Sequence, residues 1–357
     1  MAKKEESFLK FNFDVSAYRL LGRELITDRI TALFELVKNS YDSNANDVTI
    51  EFININPIND ESKIIISDDG FGMDFNDVKN RWMVIGTSSK RRERKTPEPY
   101  NRIVSGKKGI GRFAVDKLGA KLVLKTKKKG ANKLFCLETD WVNYSKIENS
   151  QMSLSFEDSK DFFTDIKNRY WLEDAEIDMQ GTTLEISRIE NEWSAIDIKR
   201  AYKELSKLIS PNNDSKKFPF YIKLKTPFEK YKDTFVKPQL VDFSTLEVDL
   251  NFDLKNNTQE KLLYKNNELT KINIPIGLFG PLKLNFYYFN QADKNKYKSH
   301  FKTEIDGIKI YRDGLITTPF AEYGDGQNDL KDILGLDKRR WSGFFDRLGT
   351  RDLLGYI

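Results

Sequence analysis

Residues 24–42 constrain the fold of this chain more than any other stretch, because one helix there carries two opposed surfaces. Leu25, Ile26, Ile30, Leu33, Phe34, Val37 and Tyr41 recur at helical spacing, which predicts an amphipathic helix of about five turns. Glu35, Asn39 and Asp42 lie at i, i+4 and i+7 and stack on the opposite face. The apolar stripe must cover a hydrophobic layer. For an isolated helix the polar trio would be an ordinary solvated face. Asn is a poor interior helix residue, however, and the two glycine-rich turns that follow favour a pocket.

Val48–Phe52 and Lys63–Ser67 read as strands, separated by a loop with Asn56 and Pro57. The second strand runs into Asp68-Asp69-Gly70-Phe71-Gly72-Met73, where glycines let backbone approach a ligand and a strand-end carboxylate can face a pocket. Asp74 is placed to cap a short helix to Met83, and a basic, polar segment with two prolines follows from Gly86 to Ser105. Gly106-Lys107-Lys108-Gly109-Ile110-Gly111 then opens a helix to Leu118 and presents backbone N–H groups to phosphate. Each turn alone is a weak signal. The second is no dinucleotide fingerprint, since no apolar strand enters it, and no Walker A loop, since it lacks the Gly-Lys-Ser/Thr ending.

Strands are expected around 121–125, 133–139 and 182–187, and a helix over Ile196–Ile209, ended by Ser210-Pro211-Asn-Asn-Asp214. A domain boundary is placed near Ile189, since 357 residues suit about two domains. Beyond it, Leu246–Leu254 and Leu282–Tyr288 alternate as half-buried strands, and 307–316 reads as a hairpin turning at Asp313-Gly314. The chain stops within an expected strand at Leu354–Ile357, so the second domain is expected to be truncated.

Composition removes whole classes of chemistry. One cysteine, Cys136, and one histidine, His300, leave no disulfide framework, no Cys/His zinc site and no ordinary catalytic couple built on histidine. Cys136 reads as a small apolar residue in a strand, and His300 as a surface residue in a Lys-rich stretch. The net charge of +5 permits contact with nucleic acid without predicting it. No run approaches the ~18 apolar residues of a bilayer span, so a cytoplasmic protein with no membrane contact is expected.

Taken in order, Glu35-Leu-Val-Lys-Asn39-Ser-Tyr-Asp42, Asp68-Asp-Gly-Phe-Gly72, Gly106–Gly111 and Gly181-Thr182-Thr183 resemble the four motifs of the GHKL ATPases. That superfamily includes gyrase B, the heat-shock chaperone, histidine kinases and MutL, and the resemblance covers about residues 15–190. It implies an α+β chain: a Bergerat-type ATP-binding α/β sandwich over 1–190, with an N-terminal arm and a lid at 86–111, then a sheet-rich transducer-like domain over 191–357. In the latter, Ile310–Gly314 and Leu334–Asp337 resemble bacterial MORC-like and chaperone-like ATPases.

The resemblance also implies roles. Glu35 would orient the attacking water as general base, and Asn39 would give an oxygen to Mg²⁺, with Asp42 in support. Asp68 would accept a hydrogen bond from the adenine 6-amino group, with Thr182 nearby. Gly70, Gly72 and Met73 would belong to the same site, the last two lining the base pocket. Gly106, Lys107, Lys108, Gly109, Ile110 and Gly111 would cradle the phosphates, and Lys90 is the lid residue with a claim to reach them. A transducer cation would meet the γ-phosphate, with Lys338, Arg339 and Arg340 as candidates and plain surface charge as the alternative.

The implied activity is Mg²⁺-dependent ATP hydrolysis driving closure of a homodimeric clamp through the aromatic segment Phe8–Phe13, with DNA or protein as client. A histidine-kinase catalytic domain is the runner-up, opposed by the position of His300 and by the sheet-rich domain that follows. A regulator that senses nucleotide without turnover is opposed by Glu35.

Overall fold

The computed structural model describes residues 26, 28–84, 95–104, 111–143, 167–210, 219–238, 244–253, 256–264, 267–272, 282–301, 304–312, 314–321, 332–342 and 347–357. The expected arm at 8–13, Lys90, and Gly106 through Ile110 lie outside the described residues.

Helix α1 spans Arg29–Asp42. It starts later than periodicity predicts because the Asp28 side chain accepts from the backbone N–H of Ile30 at 2.8 Å and of Thr31 at 3.0 Å, which is N-cap geometry. Ile30, Leu33, Leu36, Val37 and Tyr41 are buried on one side. Each such side chain contributes about 1.5–3 kcal/mol through burial.

The stripe covers an eight-stranded sheet. Its strands are β1 (Asp47–Ile55), β2 (Ile58–Asp68), β3 (Lys121–Lys127), β4 (Lys133–Asp140), β5 (Arg169–Asp174), β6 (Gly181–Ser187), β7 (Tyr221–Lys225) and β8 (Thr234–Phe235), in the order β5-β4-β3-β6-β2-β1-β7-β8. All neighbours are antiparallel except β1 and β7. Val48, Ile50, Ile64, Ile66, Leu122, Leu124 and Ile186 are buried at alternate positions. The intervening positions carry charge on the other face, as in the pairs Lys125–Glu185 at 2.7 Å and Lys121–Glu138 at 3.0 Å. That alternation is what a sheet with one covered face requires.

Cys136 is a buried strand residue in β4, as expected, and burial pushes its thiol up to about 11. Asp74 caps the following turn, but only Phe75–Asp77 is α-helical and Val78–Trp82 continues as a π-helix. Gly111–Lys117 is a 3-10 helix where a regular helix was expected. Strands β5 and β7 are additions to the strands expected from the sequence, although β7 alternates apolar Ile222 and Leu224 with Lys223 and Lys225.

Two compact units divide the chain. One takes in residues up to Leu205 together with Pro219–Val236; the other comprises Ser206–Phe218 and Lys237–Ile357. The first unit runs past the boundary expected near Ile189, because helix α2 (Ala195–Ser206) and β7 continue it.

The second unit holds a seven-stranded sheet of β9 (Leu246–Asp253), β10 (Asn256–Tyr264), β11 (Asn267–Ile272), β12 (Leu282–Tyr288), β13 (Gly307–Arg312), β14 (Leu315–Ala321) and β15 (Leu353–Tyr356), ordered β11-β10-β9-β12-β15-β13-β14. Helix α3 (Gln291–Phe301) packs Tyr297 edge-on against Phe289, 5.5 Å between ring centroids, in a core with Ile305, Leu354 and Tyr356. Helix α4 (Leu336–Ser342) carries the Lys338–Arg340 run. No helix among the described residues is long and apolar enough to cross a membrane.

Candidate functional site

The site forms where β2 ends under α1. Asp68 is the last residue of β2; it pairs with Thr182 on β6, Thr182 with Thr126 on β3, and Thr126 with Phe135 on β4. Cross-strand partners share a face, so these residues form one row on the helix-covered side. The two threonine hydroxyls lie 3.0 Å apart, and Thr126 Oγ1 accepts from the Met73 N–H at 2.8 Å.

Asp68 is held from both sides. Its Oδ2 accepts from Ser40 Oγ at 2.8 Å, and its Oδ1 from the Gly70 N–H at 3.0 Å. Desolvation pushes the carboxyl up to about 6, against the lowering effect of the hydrogen bonds from Ser40, Gly70 and Thr182, while the neighbouring Asp69 charge adds to the rise. Asp69 itself anchors the turn: its Oδ1 accepts from the N–H groups of Asn46 at 2.7 Å and Asp47 at 2.9 Å.

The glycines follow from close backbone approach. Gly72 has φ +65°, and a Cβ there would sit 1.9 Å from the Lys127 carbonyl oxygen. Gly181 has φ +125°, and a Cβ there would sit 2.0 Å from the Asp68 carbonyl oxygen. No side chain fits either gap. Lys127 is almost fully buried, and its ammonium donates to the carbonyls of Ile177 and Met179, so the segment leading to Gly181 is tied to the end of β3.

On α1, Glu35, Asn39 and Asp42 are half-buried, and Lys38 Nζ lies 3.6 Å from the Glu35 carboxylate. α1 also packs against the 3-10 turn at Gly111–Lys117. Upstream, residues 95–104 are pinned by Arg102. This buried guanidinium lies 4.5 Å from the ring centroids of both Tyr41 and Tyr100, and donates to the carbonyls of Ala45 and Pro219 at 2.6 Å each. That arrangement gives a buried cation both aromatic faces and acceptors.

Of the residues singled out in the sequence, the structure joins Asp68 to Gly70 and Thr182 by hydrogen bonds, links Met73 to Thr182 through Thr126, sets Gly72 against the Lys127 and Gly181 carbonyls, and places Asn39 and Glu35 on the helix that Ser40 ties to Asp68. Lys338, Arg339 and Arg340 belong to the second unit. There, Arg340 pairs with Asp352 at 2.9 Å and Arg339 donates to the Leu334 carbonyl. Sequence reasoning passed over Ser40 and Thr126. Both carried a signal, since Ser40 falls on the apolar stripe of α1 and Thr126 continues the buried period of Leu122 and Leu124.

Residues 27–170 match the family model described as histidine kinase-, DNA gyrase B-, and HSP90-like ATPase. The match runs from α1 to the start of β5 and stops short of β6, which supplies Thr182. No curated protein matches the chain at a significant level.

Proposed function

The chain carries an ATPase domain of the GHKL type over residues 27–170, and we propose that it binds ATP with the adenine on Asp68 and hydrolyses it with Glu35 as general base. The observation that carries the reading is the Asp68–Thr182–Thr126 row. A carboxylate that already accepts from Ser40, Gly70 and Thr182 keeps a lone pair for one more donor, and the adjacent hydroxyls supply a polar edge that matches a purine amine.

The donor set also fits Mg²⁺. Among the described residues there is no cluster of three or more His, Cys, Asp or Glu that could hold a metal ion. Mg²⁺ commonly takes one or two protein oxygens and completes its shell with phosphates and water, and Asn39, half-buried on α1, carries an amide oxygen of that kind. Asn39 would be that protein ligand. The ion would neutralise charge on the phosphates, Glu35 would accept a proton from the attacking water, and Gly106 through Gly111 would donate backbone N–H groups to phosphate.

The same reading makes the chain a clamp that associates in its ATP state through the N-terminal segment and works on a DNA or protein client. Calorimetric titration tests the core of it: ATP should bind the unaltered chain, and Asp68→Asn should remove that binding.

A further inference from the structure

The geometry points to β5 as a self-association edge, through which two copies of this chain pair antiparallel about a twofold axis centred on Trp171. This interface is separate from the nucleotide site, and it needs no nucleotide.

β5 ends the first sheet, and among the described residues nothing pairs with its outer edge. Its ladder with β4 is regular from Arg169 opposite Glu138 to Asp174 opposite Lys133. Proteins commonly blunt such edges with charged side chains, Pro or a bulge; Arg169-Tyr-Trp-Leu-Glu-Asp174 has no Pro and no bulge, and its charges Arg169 and Glu173 are of opposite sign and on one face. Instead Tyr170 and Leu172 are each 56% exposed. Tyr170 stacks on Phe135 at 5.6 Å and lies 5.6 Å from Phe75, itself 44% exposed, so the apolar row of the covered face reaches the rim and continues into solvent.

The choice of a second copy comes from the charge pattern. A twofold axis perpendicular to a continuous sheet keeps each face on its own side, so a residue can only oppose a partner residue on the same face. Centred on Trp171, this rule places Arg169 opposite the partner's Glu173 and Tyr170 opposite the partner's Leu172. The charge pairs then form on the polar face, beside Glu138, and the apolar pairs on the face of Phe135. Centring on Tyr170 sets Arg169 against tryptophan, and centring on Leu172 sets Tyr170 against Asp174 and Trp171 against Glu173. Only the Trp171 register matches both charge and hydropathy. In one copy the Arg169 side chain is 72% exposed and 3.9 Å from Glu138, which leaves it accessible to a better partner. Strand addition supplies the main-chain bonds, and the side-chain pairs fix the register.

Sedimentation velocity of the full chain without nucleotide tests the inference. A concentration-dependent dimer is expected, weakened by high salt. Arg169→Glu and Glu173→Arg should each weaken association by roughly tenfold or more, because each creates two like-charge pairs, and the double exchange should restore it. Leu172→Lys, at a position already largely exposed, should weaken it too without a loss of thermal stability. A monomer throughout the micromolar range, or a dimer indifferent to both reversals, or no recovery in the double exchange, overturns the proposal. Because no nucleotide is present, failure of the ATP reading leaves this result unchanged.

Discussion

Ser40 Oγ donates to Asp68 Oδ2 at 2.8 Å, which ties the buried side of α1 to the last residue of β2. The bond favours the ionised carboxylate, in opposition to the burial that holds the group at about 6. Because the folded value lies above the ordinary 3.8, the folded chain keeps a proton that the unfolded chain has lost between those two pH values. The stability contribution of Asp68 therefore falls as pH rises through that window and is level above about 6. Under the proposed assignment nucleotide binding should have the opposite slope, since the adenine amine would need the ionised acceptor. Affinity at pH 5 is expected to be about tenfold below that at pH 7. Ser40→Ala should move the midpoint upward and cost about 1 kcal/mol in stability. Titrations from pH 5 to 8 that show the same midpoint in both proteins would dissociate Ser40 from the site.

Glu35 and Asp68 should separate chemistry from binding, because one would act on water and the other on the base. Glu35→Ala is expected to keep ATP affinity and lose turnover by roughly two or more orders of magnitude. Asp68→Asn replaces a charged acceptor by an amide that presents N–H groups to the adenine amine, and it should lose binding itself. Unchanged affinity in the Asp68 variant would remove the assignment.

Much of this site was legible because each part has a local cause. Asp68 and Gly72 sit at a strand end followed by glycines, and α1 shows its two faces in its spacing. The phosphate loop and lid were read from glycine and charge pattern, but Lys90 and Gly106 through Ile110 lie outside the described residues. What was illegible depends on register. Nothing local says that Thr126 stands across from Thr182, or that Lys127 reaches Ile177, because strand pairing between distant segments sets both. β5 and β7 are short: β5 sets Tyr170, Trp171 and Leu172 in one run between charged residues, which shows no period of two, and β7 is five residues long.

Gly72→Ala is expected to lower stability by roughly 2–4 kcal/mol, by adding backbone strain at positive φ to a collision with the Lys127 carbonyl. Lys127 and Thr126 are neighbours on β3, so the relaxation should displace the Met73 N–H from the Thr126 hydroxyl and weaken nucleotide binding as well. A denaturant melt together with an ATP titration checks both. Full stability in the alanine variant would mean that the turn has room the structure does not show.

If the clamp reading holds, a non-hydrolysable ATP analogue with Mg²⁺ should drive association that ADP does not. The Arg169→Glu background is the right one for this measurement, since it suppresses pairing through β5. Light scattering that gives a monomer with every nucleotide would count against the clamp and leave the ATP site untouched.

If a cation of α4 serves the γ-phosphate, as the resemblance implies, its surroundings favour one of the three. Arg340 pairs with Asp352, a buried carboxylate that also takes Lys294 and the Gly349 N–H, the latter at 2.7 Å. Asp337 beside it accepts from the N–H and hydroxyl of Thr350 at 2.8 and 2.6 Å. Arg340 is thus part of the frame that holds α4 to β15, and its removal leaves a buried carboxylate with one cation fewer. Arg339 closes on the Leu334 carbonyl, while Lys338 is exposed on the same helix. Of the three, Lys338 is therefore the one chosen for the test. Lys338→Ala is expected to lower the hydrolysis rate with ATP affinity and melting temperature largely kept, whereas Arg340→Ala should lower the melting temperature first. If Lys338→Ala leaves the rate unchanged, the sensing cation is not on α4 and the run is a structural and surface feature of that helix.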